Sequence, residues 1–137
     1  MPVVTLFLTP SCTSCRKARA WLKEYNIPFI ERDMLKKPPR LDELKNILSL
    51  IYRGTEDIIS TRTQAFKDLN IDMNELSLAE LLDIIQKHPH ILKKPIIVDD
   101  KRIQIGYNED EIRKFVPREI RKIELERAKE MIAMMNQ

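Results

Sequence analysis

Cys12-Thr13-Ser14-Cys15 is where residue type and spacing together define a chemistry in this sequence. A thiol placed at the start of a helix lies beside unpaired backbone N–H groups and the positive end of the helix dipole, and both favour the thiolate. Arg16 and Lys17 follow at once and add positive potential. The thiolate is the nucleophile, so this placement tunes reactivity. Two intervening residues let either sulfur reach the other, so an oxidised Cys12 can be resolved by Cys15, or the reverse. A zinc site is one alternative. It needs about four ligands, and the chain adds only His88 and His90, far off and flanking Pro89. A pair of inert buried cysteines is the other, and a strand-to-helix junction beside cations is a poor place for one. A disulfide closing so small a loop would stabilise the fold little.

The elements that position the pair can be read from the spacing of apolar residues. Val3 to Leu8 is a β-branched apolar run that reads as a buried strand. Cys15 to Tyr25 carries Ala18, Trp21, Leu22 and Tyr25 at helical spacing, and Asn26-Ile27-Pro28 breaks it. Phe29 to Asp33 alternates as a second strand. Lys36-Lys37-Pro38-Pro39 reads as a linker into a helix over Leu41–Ile51. A short helix is expected over Ser60–Leu69. A capping box at Ser77-Leu78-Ala79-Glu80 opens another, running to His88 and stopped by Pro89. Ile96–Val98 and Arg102–Gly106 form a hairpin around Asp99-Asp100-Lys101. Asn108-Glu109-Asp110-Glu111 signals a helix through Ile112 and Phe115, and Pro117 opens a last charged helix from about Arg118 to Met134.

This order is βαβ followed by ββα with helices inserted between. The expected fold is α/β: a thioredoxin-like four-stranded mixed sheet with an inserted helical block and a C-terminal helix. The expected organisation is a single domain over 1–137, with the core at 1–35 and 93–117, the insert at 36–92 and the tail at 118–137. The 137-residue length and 43% apolar content allow one sizeable core. A net charge of +3, from 24 basic and 21 acidic residues, does not by itself point to nucleic acid. With only Gly54 and Gly106, no glycine-rich phosphate loop is present. No apolar run approaches a membrane span, and a cytoplasmic protein is expected, where disulfides are seldom structural. No cofactor and no metal are expected.

Pro10 to Leu22 resembles the N-terminal signature of the redox-controlled transcription regulators of the arsenate-reductase-like family. Ile58-Ile59-Ser60-Thr61-Arg62, Pro95-Ile96-Ile97 and Gly106 to Arg113 resemble further segments of it, so the likeness spans almost the whole chain. The resemblance implies a regulator that binds the C-terminal domain of the RNA polymerase α subunit and is switched by a Cys12–Cys15 disulfide. It implies that Gly54 lies at the polymerase interface and that Arg62 and Lys94 neighbour the redox site. Lys94 stands where the family carries Arg, exchanging a planar fork for a point charge. Gln64 stands where a DNA-approaching Lys is common, so promoter DNA is expected to be contacted only indirectly or weakly. On the residues alone, Gly54 reads equally as a helix C-cap, Arg62 as a surface arginine, and the cluster Arg113, Lys114, Arg118, Arg121 and Lys122 as a solvated face. The family's recognition by the ClpXP protease and its adaptor implies a role for the C-terminal tail, whose ending Met134-Met135-Asn136-Gln137 departs from the usual one. The competing function is an arsenate reductase or glutaredoxin-like thiol oxidoreductase. The loop Leu8-Thr9-Pro10-Ser11 and the missing Arg at Lys94 count against it.

Overall fold

In the computed structural model, which describes residues 3–136, the chain forms two compact units, divided between Tyr107 and Asn108. Met1, Pro2 and Gln137, the last residue of the divergent ending, lie outside the described residues. The first unit holds a four-stranded mixed sheet in the order β2-β1-β3-β4, from β1 (Val4–Leu8), β2 (Phe29–Asp33), β3 (Ile96–Val98) and β4 (Ile103–Ile105). β1 runs parallel to β2 and antiparallel to β3, and β3 and β4 close the expected hairpin. Asp99 holds that hairpin's turn: its Oδ1 accepts from the N–H groups of Lys101 (2.8 Å) and Arg102 (2.6 Å).

Both faces of the sheet are covered. Phe7, Ile96 and Val98 join a cluster with Leu44 and Ile47 of α2 (Leu41–Leu50) and Leu81, Leu82 and Ile85 of α4 (Leu78–Lys87). Leu6 and Ile97, paired across β1 and β3, point to the opposite face by strand alternation and are fully buried. The crossover helix α1 (Thr13–Glu24) supplies Cys15, Ala18, Trp21 and Leu22, which stand outside that cluster and cover this second face. The inserted helices are therefore a structural layer, without which one face of β1 and β3 would meet water.

Long-range polar contacts tie the insert to the sheet. Arg32 on β2 reaches both carboxylate oxygens of Glu43 on α2 at 3.0 and 2.9 Å. Its other nitrogen donates to the carbonyls of Lys37 (3.3 Å) and Pro38 (3.1 Å), and its guanidinium stands 5.5 Å from the centre of the Phe7 ring. The Lys36–Pro39 linker is thus pinned to the sheet edge. The capping box at Ser77 forms as expected: its hydroxyl accepts from the Glu80 N–H and the Glu80 carboxylate accepts from the Ser77 N–H, each at 3.2 Å.

The structure departs from the expected elements in three places. The helix expected over Ser60–Leu69 shrinks to α3 (Gln64–Asp68). An isolated bridge between Ile59 and Leu92 and a 2.8 Å bond from the Ser60 N–H to the Ile91 carbonyl keep the preceding residues extended. Thr63 then caps α3, accepting from the Phe66 N–H. Pro89 does stop α4, but it also opens a buried 3-10 turn, Pro89–Ile91. In the second unit the helix signalled at Asn108 is a 3-10 turn, Glu111–Phe115. Asn108 Oδ1 does cap the Asp110 and Glu111 N–H groups, but Val116 precedes Pro117 and is extended, so an α-helix has no room to propagate. The unit ends in α5 (Arg118–Met135), which buries no residue and pairs Glu124 with Arg113.

Truncation should separate these layers. Ile47→Ala should cost ~2–5 kcal/mol in urea unfolding, because it opens a cavity in a fully buried cluster. Leu125→Ala on α5 should change stability by less than about 0.5 kcal/mol.

Candidate functional site

β1 ends at Leu8, and the chain turns through buried Thr9 into α1. The helix starts two residues earlier than its periodicity indicates, which makes Cys12 its N-cap. Three backbone contacts fix it: the Cys12 N–H donates to the Thr9 carbonyl (3.4 Å), the Cys12 carbonyl accepts from the Arg16 N–H (3.2 Å), and the Cys12 Sγ accepts from the Cys15 N–H (3.3 Å). The sulfur thus occupies the place usually taken by a capping oxygen. Both cysteines are free thiols.

The two thiols are not equivalent. Cys12 is half-buried, whereas Cys15 is 1% exposed. The Cys15 thiol is raised from an ordinary 9.0 to about 12, by burial first and by its hydrogen bond with Cys12 second; a backbone hydrogen bond with Thr9 and the positive charge of Lys94 offset this only in part. The helix start favours thiolate, but at Cys15 desolvation outweighs the dipole. The signal was present in the sequence. Cys15, Ala18 and Leu22 fall at i, i+3 and i+7, which is the inward stripe of α1. The arrangement gives a half-buried thiol at the helix cap and a buried thiol one turn on.

Lys94 stands two residues before β3, joined to Pro95 by a cis peptide bond, and its positive charge acts on Cys15. Because β3 runs antiparallel to β1, its start lies at the end of the sheet from which β1 delivers Thr9 and Cys12. Arg62 is placed differently. It lines a cavity of about 550 Å³ together with Lys93, Thr63 and Glu56, and neither cysteine contributes to that wall. Lys93 was not singled out from the sequence, where it is simply the first of two lysines before a proline. Gly54 lies three residues beyond Ile51, the C-cap of α2, so it is not that helix's cap. It has φ +104°, a conformation that L side chains rarely adopt, and a Cβ there would meet nothing within 4 Å. Its glycine is therefore required by backbone shape, with open space above it. Among the described residues no group of three or more His, Cys, Asp or Glu could hold a metal ion, so His88 and His90 do not join the cysteines.

The ArsC family model matches residues 7–115. The chain is 53% identical over 130 residues to the global transcriptional regulator Spx of Listeria innocua, covering 95% of this chain and 99% of that one. It is 50% identical over 129 residues to the regulator of the same name from Bacillus subtilis, covering 94% and 98%. The chain belongs to the Spx branch of the ArsC family. A solved structure described as a possible arsenate reductase from Streptococcus mutans superposes with a TM-score of 0.69 at 26% identity, covering 79% of this chain and 93% of that one. The thioredoxin-like sheet is thus shared by this chain and by a protein named as a possible reductase.

The asymmetry has two measurable consequences. In the reduced protein at pH 8, iodoacetamide should label Cys12 and spare Cys15, on the order of a hundredfold more slowly at Cys15, with the difference lost on unfolding. The raised Cys15 value also makes stability pH-dependent. Between about 9 and about 12 the folded state keeps a proton that the unfolded state has lost. Stability is therefore full below 9 and falls as pH rises through that window. Cys15→Ala should flatten this alkaline limb in pH-dependent urea titrations.

Proposed function

We propose that the chain is a cytoplasmic redox-sensing regulator of transcription, not an enzyme, whose output is contact with the C-terminal domain of the RNA polymerase α subunit. The observation that carries the redox part is the pairing of a half-buried capping Cys12 with a buried Cys15 one helical turn on. A peroxide gives one oxygen atom to Cys12: the S–O bond forms as the peroxide O–O bond breaks, the sulfur loses two electrons and becomes a sulfenic acid, and the other peroxide oxygen leaves as hydroxide, or as alkoxide from an organic peroxide. Cys15 attacks that sulfur, the S–S bond forms, and the hydroxyl leaves as water with the Cys15 proton. The regulator names of the two relatives above support the transcriptional part.

A contiguous path supports coupling of the pair to the Gly54 loop. The charge of Lys94 acts on Cys15. The adjacent Lys93 N–H donates to the Ile58 carbonyl at 2.7 Å, and the Ser60 N–H donates to the Ile91 carbonyl at 2.8 Å. Ile58 closes the short turn Thr55–Asp57, whose Asp57 N–H returns to the Gly54 carbonyl at 3.1 Å. The dithiol is thus linked to the proposed interface by the Lys94 charge and, from Lys93 onward, by backbone hydrogen bonds. Gln64 engages Asp68 within α3 at 2.7 Å, which favours protein contact over direct DNA contact by that helix. The exposed apolar residues of α5, including Leu125 and Ile132, suit it to a protease adaptor such as that of ClpXP. The second reading, a thiol-dependent reductase, draws on the fold shared with the Streptococcus mutans structure.

Titration of the purified chain against purified polymerase α C-terminal domain decides between them. The regulator reading predicts binding that differs between oxidised and reduced protein, with Cys12→Ser and Cys15→Ser locked at the reduced value. It also predicts no arsenate turnover with a thiol reductant. Absence of binding in both states would sink it, and turnover abolished by Cys12→Ser would install the reductase.

A further inference from the structure

The end of α5 carries sulfur chemistry that the cysteine pair does not use. Met131, Met134 and Met135 are 64%, 73% and 80% exposed. Met34, by contrast, is fully buried, and Met73 is half-buried against the core cluster. Ala128, Met131, Ile132 and Met135 fall at i, i+3, i+4 and i+7, so they share one face of the helix, with Met134 at its margin. Lys129 and Glu130 stand on the opposite side. The last two turns are thus amphipathic, and thioethers supply much of their apolar face.

Tertiary packing does little to hold this end wound. α5 buries no residue, and its ion pair with Arg113 is made from Glu124, in its first half. Its last turn holds no basic residue to offset the negative end of the dipole. The last two turns rest on the backbone ladder, which Asn136 closes by donating to the Ile132 and Ala133 carbonyls at 3.2 and 3.3 Å. A short stretch held in this way is marginal in water, so side-chain propensity decides whether it stays helical. Methionine is a good helix former, because its straight chain keeps its rotamers and does not compete for backbone hydrogen bonds. Its sulfoxide is polar. A sulfoxide oxygen is an acceptor, and it competes for backbone N–H groups as Ser, Asp and Asn do in helix interiors.

We infer that the end of α5 is a second oxidation site, at which peroxide converts Met131, Met134 and Met135 to sulfoxides and thereby unwinds the last two turns. In each conversion the thioether sulfur gives up two electrons. The S–O bond forms as the peroxide O–O bond breaks, and the other oxygen leaves as water, or as the alcohol from an organic peroxide. A thioether is a weaker nucleophile than a thiolate, so this site responds at doses above the one that closes the cysteine pair. The mark is reversible by methionine sulfoxide reductases, one for each sulfoxide epimer.

The test exposes the full chain to excess hydrogen peroxide and follows each methionine by peptide mass mapping, with limited trypsin digestion alongside. Met131, Met134 and Met135 should gain one oxygen at least about tenfold faster than Met34. Trypsin cleavage after Arg127 and Lys129 should then rise by about threefold or more, and return to its first rate after treatment with both reductases. The combined Met131→Leu, Met134→Leu and Met135→Leu variant keeps the apolar face and the helix propensity but has no sulfur there. Its cleavage after Arg127 and Lys129 should be unchanged by peroxide. Oxidation of the three no faster than that of Met34 would overturn the inference. Equal cleavage before and after oxidation would do so too, as would the same rise in the leucine variant.

Discussion

Strand β1 is paired on both edges and buried on both faces, and the position of every candidate functional group follows from that confinement. Its parallel partner β2 requires a crossover, and that crossover is α1, so the cysteine pair must fall where β1 ends and α1 begins. Its antiparallel partner β3 brings Lys94 to the same end. The insert exists because the face carrying Phe7, Ile96 and Val98 needs a cover. Once α2, α3 and α4 provide it, Ile58 and Ser60 are hydrogen-bonded to the segment that leads to Lys94. Sheet, insert and dithiol are thus parts of one packing solution.

The same confinement makes the two thiols unequal. A helix that starts at the end of a fully buried strand must bury its first inward residue, and here that residue is Cys15. Its neighbour three positions earlier is left at the cap, half in solvent. The dipole acts along the whole first turn, but desolvation acts only on the inward side. A generic CxxC motif therefore becomes an unequal pair, and the proposed order gives Cys12 to the encounter and Cys15 to the resolution. That order suits a sensor, which needs a single oxidation event to end in a defined local change.

Much of this was legible in the residues. The strands, α1, α2, α4 and the hairpin follow from periods of two and 3.6 and from well-placed prolines, and the Ser77 box follows from its own side chains. Local rules failed where long-range partners won. Ser60 is extended because Ile91 claims its N–H, and Glu111–Phe115 cannot lengthen because Pro117 forbids it. The Arg32–Glu43 bridge spans eleven residues and two elements, which no local pattern encodes. At the site, the cysteines were legible as chemistry and their order as periodicity. The pairing of Arg62 with Lys93 around one cavity was not, because it depends on the bridge between Ile59 and Leu92.

The central claim is that Cys12 is oxidised first and Cys15 resolves it. Intact-protein mass spectrometry after one equivalent of peroxide, with a sulfenic-acid trap present, tests it most directly. The wild-type chain should lose the mass of two hydrogens and take up no trap. Cys15→Ser should carry the trap on Cys12, and Cys12→Ser should remain unmodified at the same exposure. Trap on Cys15 in Cys12→Ser, at the rate seen for Cys12, would contradict the account.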